Sequence, residues 1–419
     1  MSVSPSVSAG FSLAEKPSEV SVRSDDISVD VQNQHPVTTT AIDLQLVTGF
    51  DQAAEDWQQL YETGYATPYQ SRTWCQAYLE TLGRENDNQP LIAVARQAGQ
   101  PVLLLPLLLK KKAGFCFLSF LGAGIGNQNT GLWDRAFYDT VQSGTIQDLL
   151  DRICRAAKAD CLALQNVPVS WHGQKHPLCL DNAQPSPSPV FRGNVDSDFQ
   201  TLFADTHSKS ARKNLTRKRR HLQDAGDYEF GRCSQKEEIE AGLVAFLSQR
   251  EARARITGIP NAFSDKTAQA FLRHAVGLER HVAGTNPPLQ IWTLKVSGKI
   301  RATYLCGRHQ DTLYAYSNSV AHDELLKNSP GLVLIREIIE EICADPDTTV
   351  LDLGVGEEKY KTGWTSPEAL CDGLLPITVK GQIFSKALSA KTRLKSAIRN
   401  SDRLWPLVKK LRQWRAPDK

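Results

Sequence analysis

Apolar residues recur with two different periods along this chain, and the switches between them mark its elements. Residues 1–40 are rich in Ser, Val, Thr and Pro without a helical period, and are predicted to be a disordered leader. A short strand at Leu44–Val47 then precedes a helix that carries Ala53, Trp57, Leu60 and Tyr61 at helical spacing. TPYQSRTWCQAYLETLG (67–83) reads as a turn and a second helix. LIAVARQAGQPVLLLPLLL (91–109) reads as two β runs joined by an Ala-Gly turn.

The same order returns in the second half. A basic helix and a longer one (Ile239–Arg255) lead into IWTLKVSGKIRATYLCGRHQDTLYAYSNSV (291–320), a three-stranded meander turning at Ser297-Gly298 and Gln310-Asp311. A helix starting at Pro330 and a strand at Thr349–Leu353 follow. The Pro-rich loop PSPSPVFRG (185–193) is a natural junction. The pattern predicts an α+β fold with mixed sheets in two related domains, 41–190 and 191–379, flanked by the leader and a tail from 380 to 419.

Composition changes this picture little and charge changes it locally. At 419 residues, 41% hydrophobic and 23% charged, the chain is that of a globular protein too long for one ordinary core. The net charge is only +3, yet residues 380–419 hold twelve Lys/Arg against Asp402 and Asp418, a local +10 that leaves −7 for the rest. Phe384, Leu388, Leu394, Ile398, Leu404, Val408, Leu411 and Trp414 interleave those cations. The tail therefore suits a helix on an anionic membrane surface, a partner surface such as a synthase complex, or the protein's own domain. Nine scattered cysteines without a CxxC pair fit a reducing cytoplasm rather than a disulfide framework, and the N-terminus lacks a secretory pattern. The longest apolar stretch, Val102–Leu109, is broken by Pro106 and far short of the ~20 residues a membrane span needs.

The segment Asn328–Trp364 (NSPGLVLIREIIEEICADPDTTVLDLGVGEEKYKTGW) carries the strongest chemical signal. Its glycine turn after VLDL invites a methyltransferase nucleotide loop, but about 60 residues remain beyond it, too few to complete a doubly wound sheet. A Ser-Pro-Gly helix start, by contrast, presents unpaired amides and a positive dipole end to a phosphate, or is simply a capped helix with Pro at N1. The run KSARKNLTRKRRHL (209–222) places Ala211, Leu215 and Leu222 on one helical face opposite its cations. It is a solvated face, a nucleic-acid surface lacking interleaved aromatics, or a cationic rim for a polyanionic cofactor or phosphorylated acceptor. His172, His176 and Cys179 lack a fourth ligand nearby, so no metal is expected; Gly122, Gly124 and Gly126 read as a bent loop.

Meander, phosphate-cradling helix and splayed strand together resemble the GNAT acyltransferase fold. The motif order S-x-R-x-N-L-x-R-x-R-R-x-L, Ser-Pro-Gly-Leu, Leu-Asp-Leu-Gly-x-Gly and Tyr-Lys-x-x-Trp, with Thr67–Ser71 and Trp74 upstream, resembles the GNAT-type acetyltransferases of bacterial cellulose and exopolysaccharide synthesis (the CelD/BcsL-like group) over roughly residues 42–378. More distantly the tandem arrangement is similar to the Fem-type aminoacyl transferases. The first resemblance implies acetyl-CoA or another acyl-CoA as co-substrate and a sugar or polysaccharide-precursor acceptor in the cytoplasm or at the inner membrane. The second implies aminoacyl-tRNA, and a degenerate scaffold of a synthase complex is the non-enzymatic alternative. Ser329, Gly331, Leu332 and Val333 would then form the cofactor cradle. Asp352, Glu357, Tyr360 and Lys361 are the candidate catalytic residues, with Glu358 as a further carboxylate. Tyr316, Asn318, Trp364 and Arg212 would contact substrate. Lys361 as a surface cation, Trp364 as core, and Glu357 and Glu358 as ordinary loop charges are the plain alternatives.

Overall fold

The computed structural model describes residues 41–386 except 85–87, 113, 280–285 and 384. The leader (1–40) and most of the basic tail (380–419) therefore lie outside the described residues. The first half comprises β1 (Ile42–Val47), α1 (Ala54–Thr63), α2 (Arg72–Glu80), β2 (Asn88–Gln97), β3 (Gln100–Lys112), β4 (Phe115–Phe120), β5 (Leu132–Trp133), α3 (Arg135–Thr140), α4 (Ser143–Ala156) and β6 (Cys161–Pro168), then three two-residue strands, β7 (Ser170–Trp171), β8 (Gln174–Lys175) and β9 (Gln184–Pro185). The second half runs β10 (Val190–Asn194), α5 (Phe199–Thr206), α6 (Lys209–Gln223), β11 (Tyr228–Arg232), α7 (Lys236–Thr257), α8 (Lys266–Ala275), β12 (Gln290–Val296), β13 (Lys299–His309), β14 (Thr312–Val320), α9 (Pro330–Cys343), β15 (Val350–Val355), β16 (Ser366–Glu368) and β17 (Leu370–Pro376).

Two mixed sheets result, as the periodicity predicts. The first is ordered β1-β2-β3-β4-β6-β17-β9 and the second β11-β12-β13-β14-β15-β10-β16. In each, an antiparallel meander is joined by one parallel pair, β4 with β6 and β14 with β15. The topology is interlocked: β17, from the end of the second half, pairs antiparallel with β6 of the first sheet. Local sequence explains the hairpins. Ala98 and Gly99 both adopt positive φ (51° and 80°), the geometry a two-residue turn needs to match strand twist. Pro106 sits inside β3 without wasting a ladder bond: the neighbour there changes from β5 (Leu103, Leu104) to β4 (from Leu107), and the Pro106 carbonyl accepts from Leu121.

The halves share one core. Trp57, Tyr69 and Trp74 of the first pack in the same buried cluster as Phe246, Phe271, Leu305 and Tyr314 of the second. Polar contacts pin the seam, with Gln310 Nε2 donating to the Gly64 carbonyl (2.7 Å) and Arg135 to Gln310 Oε1 (2.8 Å). His176 and Cys179 lie in the first half's interior, His176 stacked on Trp171 and Cys179 beside Cys371 of β17. Among the described residues no helix is long and apolar enough to cross a membrane.

Candidate active site

The site begins where two parallel strands part. β14 and β15 pair only at Thr312–Tyr314 with Val350–Asp352. Beyond that point β14 takes a bulge: its register against β13 passes from Cys306↔Ala315 to Leu305↔Ser317, which leaves Tyr316 with no residue opposite. β15 turns away through Gly354 (φ 72°) and Gly356 (φ 112°). A Cβ on Gly354 would meet Asn127 Nδ2 at 2.5 Å and the Ala315 carbonyl at 2.7 Å, so only glycine fits. The first half closes the apex of this V. Asn127 Nδ2 donates to the Tyr69 hydroxyl (3.0 Å) and the Ala315 carbonyl (3.4 Å), and Gln128 donates to the Asp352 carboxylate.

Helix α9 opens beside the V. Ser329 sits in the left-handed region (φ 53°) as its N-cap, but its hydroxyl does not cap. Instead the Ser329 carbonyl accepts from the amides of Leu332 (3.0 Å) and Val333 (3.2 Å), and the Gly331 amide has no acceptor among the described residues. The expected cradle is thus narrower than the sequence implied: one free amide, not three. A second element completes it. Lys218 Nζ of α6 donates to Ser329 Oγ (2.8 Å), and Arg219 and Tyr228 both bond Glu337 two turns further along α9. Leu215 and Leu222 dock α6, whereas Ala211 is exposed rather than part of that face. Exposed Leu326 and Leu332 flank the helix start.

The loop after β15 arranges the predicted catalytic residues unequally. Tyr360 lies with its hydroxyl 3.2 Å from the Tyr304 hydroxyl and accepts from Asn318 Nδ2 (3.3 Å). Burial pushes its pKa well up, against those two hydrogen bonds, so it carries its proton at neutral pH. With Asn318 donating to its oxygen, the phenolic proton turns to Tyr304 or, where Tyr304 is the donor, to a ligand. Lys361 is buried (3% exposed) and spends its ammonium on the carbonyls of Gly354 (3.2 Å) and Val355 (2.8 Å) and on Glu358 (2.8 Å). It fastens the loop and offers no free cation. Glu358 is half-buried, and Glu357 points to solvent.

Asp352 has no exposed surface, and its oxygens receive Gln128 and the Gly354 amide (2.7 Å). Desolvation pushes its pKa up to about 6, against Arg192, those two donors and Lys361. That geometry suits fastening the apex rather than taking a proton from an acceptor. Trp364 stacks on Phe203 (5.4 Å, 13°) inside the core, with His207 against its edge at 4.2 Å. Arg212 sits near that histidine, whose pKa is lowered by burial and then by Arg212. Trp364 shares one buried cluster with Tyr304 and Tyr360, but its ring contacts are to Phe199, Phe203 and His207.

Simple alternation would put Tyr314, Tyr316 and Asn318 on one face. The bulge divides them: Tyr316 faces the first half, its ring 5.3 Å from Trp74, while Asn318 faces Tyr360. Sequence reasoning also missed Tyr304, Asn127, Gln128 and Arg250. Tyr304 sits in an ordinary strand pattern and Arg250 in an ordinary helix, and only NQNT after a glycine loop hinted at a polar, non-helical plug.

Residues 209–362 match the family model of the acetyltransferase (GNAT) domain. The match falls within the second half, from α6 to the loop after β15. The whole described fold is similar to the crystal structure of FemX, with 12% identity, 79% of this chain and 97% of that chain covered, and a TM-score of 0.53. It is also similar to a conserved protein of unknown function from Bacteroides thetaiotaomicron, at 9% identity, 79% and 99% coverage and a TM-score of 0.50. A tandem GNAT protein of the clavulanic acid pathway aligns at 12% identity, 81% and 99% coverage, with a TM-score of 0.42. No curated protein matches the sequence. The fold holds two mixed sheets of like design, and the V beside α9 lies within the residues that match the GNAT domain.

Proposed function

We propose that the GNAT domain moves an acetyl or other acyl group from acyl-CoA to a hydroxyl or amine of a cell-envelope sugar or polysaccharide precursor. The observation that carries the donor half of this reading is the juxtaposition of the β14/β15 V with the free Gly331 amide and the Lys218 ammonium at the start of α9. An amide, a helix dipole and a cation converging at one point suit a pyrophosphate. The V beyond Tyr314 and Asp352 exposes strand edges to an extended thioester arm. In the reaction the acceptor attacks the thioester carbonyl, the tetrahedral oxyanion needs a donor, and the departing thiolate needs a proton. Tyr360, kept protonated by burial, supplies that proton. Glu358, held by Lys361 at the mouth, is the carboxylate placed to accept the acceptor's proton. Among the described residues no cysteine or serine sits in a nucleophile arrangement, so direct attack is favoured.

The acceptor class rests on the resemblance to the exopolysaccharide group. Contact of the tail with an anionic membrane surface or a synthase complex on the cytoplasmic side belongs to the same proposal, and the exposed Val379 and Ile383 at its start support it. Aminoacyl-tRNA as donor is the second reading, favoured by the exposed cations Lys209, Lys213 and Arg217 along α6. Calorimetry with acetyl-CoA tests the donor. Tight binding by the full chain, weakened about tenfold or more by Lys218→Glu at unchanged Tm, is expected; no binding, with charged tRNA binding instead, would replace the first reading by the second.

A further inference from the structure

Arg250 of the second half lies half-buried without a paired carboxylate among the described residues. It lies on α7, on the side of the second sheet opposite α9, beneath the bulge at Tyr316. Its guanidinium is half-buried over the rings of Phe246 (5.9 Å) and Phe263 (5.5 Å). One nitrogen, Nη1, makes two long bonds to neutral acceptors, Ser317 Oγ (3.5 Å) and the Asn318 carbonyl (3.3 Å). It forms no ion pair among the described residues, whereas Arg219, Arg273, Arg301, Arg308 and Arg336 each hold a carboxylate. Its other N–H groups are not among the buried, unpartnered polar atoms, so they open to solvent.

A second guanidinium compounds the excess. Arg253, one turn along the same helix, also lacks an ion pair among the described residues and repels Arg250. Burial first and Arg253 next push the Arg250 pKa down to about 10, with only Tyr316 and Glu358 opposing. A desolvated guanidinium beside a second cation and without a paired carboxylate is costly, and proteins seldom keep one without a ligand to match. Paired guanidiniums present forked N–H donors, the geometry that a phosphate accepts in bidentate fashion.

We propose that Arg250 and Arg253 form the acceptor subsite of the acyltransferase centre and bind a phosphate or diphosphate carried by the acceptor, as in the class of sugar phosphates and nucleotide-linked sugars. The inference rests on the acyltransferase reading for its role, but not for the anion site itself. The bulge places Tyr316 and Ser317 on this face and Asn318 on the other, so an acceptor anchored here reaches the V from the side opposite α9. Phe263 and Tyr316, with ring centroids 6.2 Å apart, would wall the bound group.

Inorganic pyrophosphate titrated calorimetrically into the full-length protein tests the proposal, with succinate in parallel and Arg250→Met, Arg253→Met and Lys218→Glu as variants. Two pyrophosphate sites are expected in the wild type, one weakened at least tenfold by Arg250→Met and by Arg253→Met and surviving in Lys218→Glu, the other lost in Lys218→Glu alone. Tm should be unchanged or raised in Arg250→Met, since removing an unmatched cation relieves desolvation; a merely structural arginine would lower it. A single site lost only in Lys218→Glu, no pyrophosphate binding by the wild type, or Arg250-dependent binding of succinate alone would each overturn the assignment. Acetyl-CoA binding, read separately, reports on the donor site, so failure of the acyltransferase reading would show there and leave the anion result standing.

Discussion

The two sheets contain the same device and treat it in opposite ways. In the first, β4 and β6 pair in parallel at Phe117–Ser119 with Cys161–Ala163, and the chain's own loop then fills the gap beside β6. The Asn129 amide donates to the Asn166 carbonyl (3.1 Å) and Asn129 Nδ2 to the Gln165 carbonyl (2.7 Å), while Gln70 binds Gln128, Asn129 and Thr130 from behind. In the second, only the apex is filled, by Asn127 and Gln128 of that same segment, and beyond it Tyr304, Asn318 and Tyr360 line the divergence. A splayed parallel pair leaves backbone groups unsatisfied, and they must be met by protein or by ligand. The first half meets them with its own asparagines and becomes a scaffold. The second leaves them unfilled beyond the apex, where the proposed acyl donor would lie. The NQNT segment (127–130) plugs one groove and shapes the other, which couples the halves more tightly than packing alone would.

The comparison can be broken at several points. The largest effect is expected from Tyr360→Phe, which removes the proton donor of the open groove. CoA thiol release with an amino-sugar acceptor should fall about a thousandfold with acetyl-CoA affinity unchanged; a loss under tenfold would deny Tyr360 that role.

Buried titratable groups should distinguish the halves next. Asp352, raised to about 6, favours the folded state when protonated, so its contribution is full below pH ~4 and is lost as pH rises to about 6. Relative to Asp352→Asn, the wild type should lose up to about 3 kcal/mol across that window. His176 in the first half has the opposite sign: burial lowers its pKa to about 3, so its contribution is full above pH ~6.5 and is lost as pH falls toward 3. Denaturant midpoints of the wild type, Asp352→Asn and His176→Leu measured from pH 4 to 8 check both signs, and parallel curves would refute them.

A smaller effect is expected from Asn129→Ala. Stranding the Gln165 carbonyl should cost about 2 kcal/mol of stability and leave acetyl-CoA affinity intact, the reverse of Lys218→Glu. If instead the variant binds acetyl-CoA in the emptied first groove, the scaffold role of that half is wrong.

Much of this was legible in the chain. Periods of two and of 3.6 residues located the meanders, the α9 start at Pro330 and the strand that becomes β15, because alternation and helical spacing are local consequences of which face is buried. Asn318 and Tyr360 were both named from sequence, and they do meet. Residues whose roles depend on partners far away in sequence read differently once placed. Lys361 reads as a cation and is a buried clasp on Gly354 and Val355, Trp364 reads as a stacking surface and is core against Phe203, and Leu332 and Val333 have amides already used by Ser329.

The sequence by itself determined the class of fold, the doubled order of elements and the segment that carries the chemistry, since each follows from local periodicity and turn residues. The tertiary structure alone decided which groove is open, which side of β14 each of Tyr316 and Asn318 faces, and that Arg250 and Arg253 stand without a paired carboxylate among the described residues. A one-residue bulge reverses every side chain beyond it, and a charge is matched or unmatched only by what folding brings beside it.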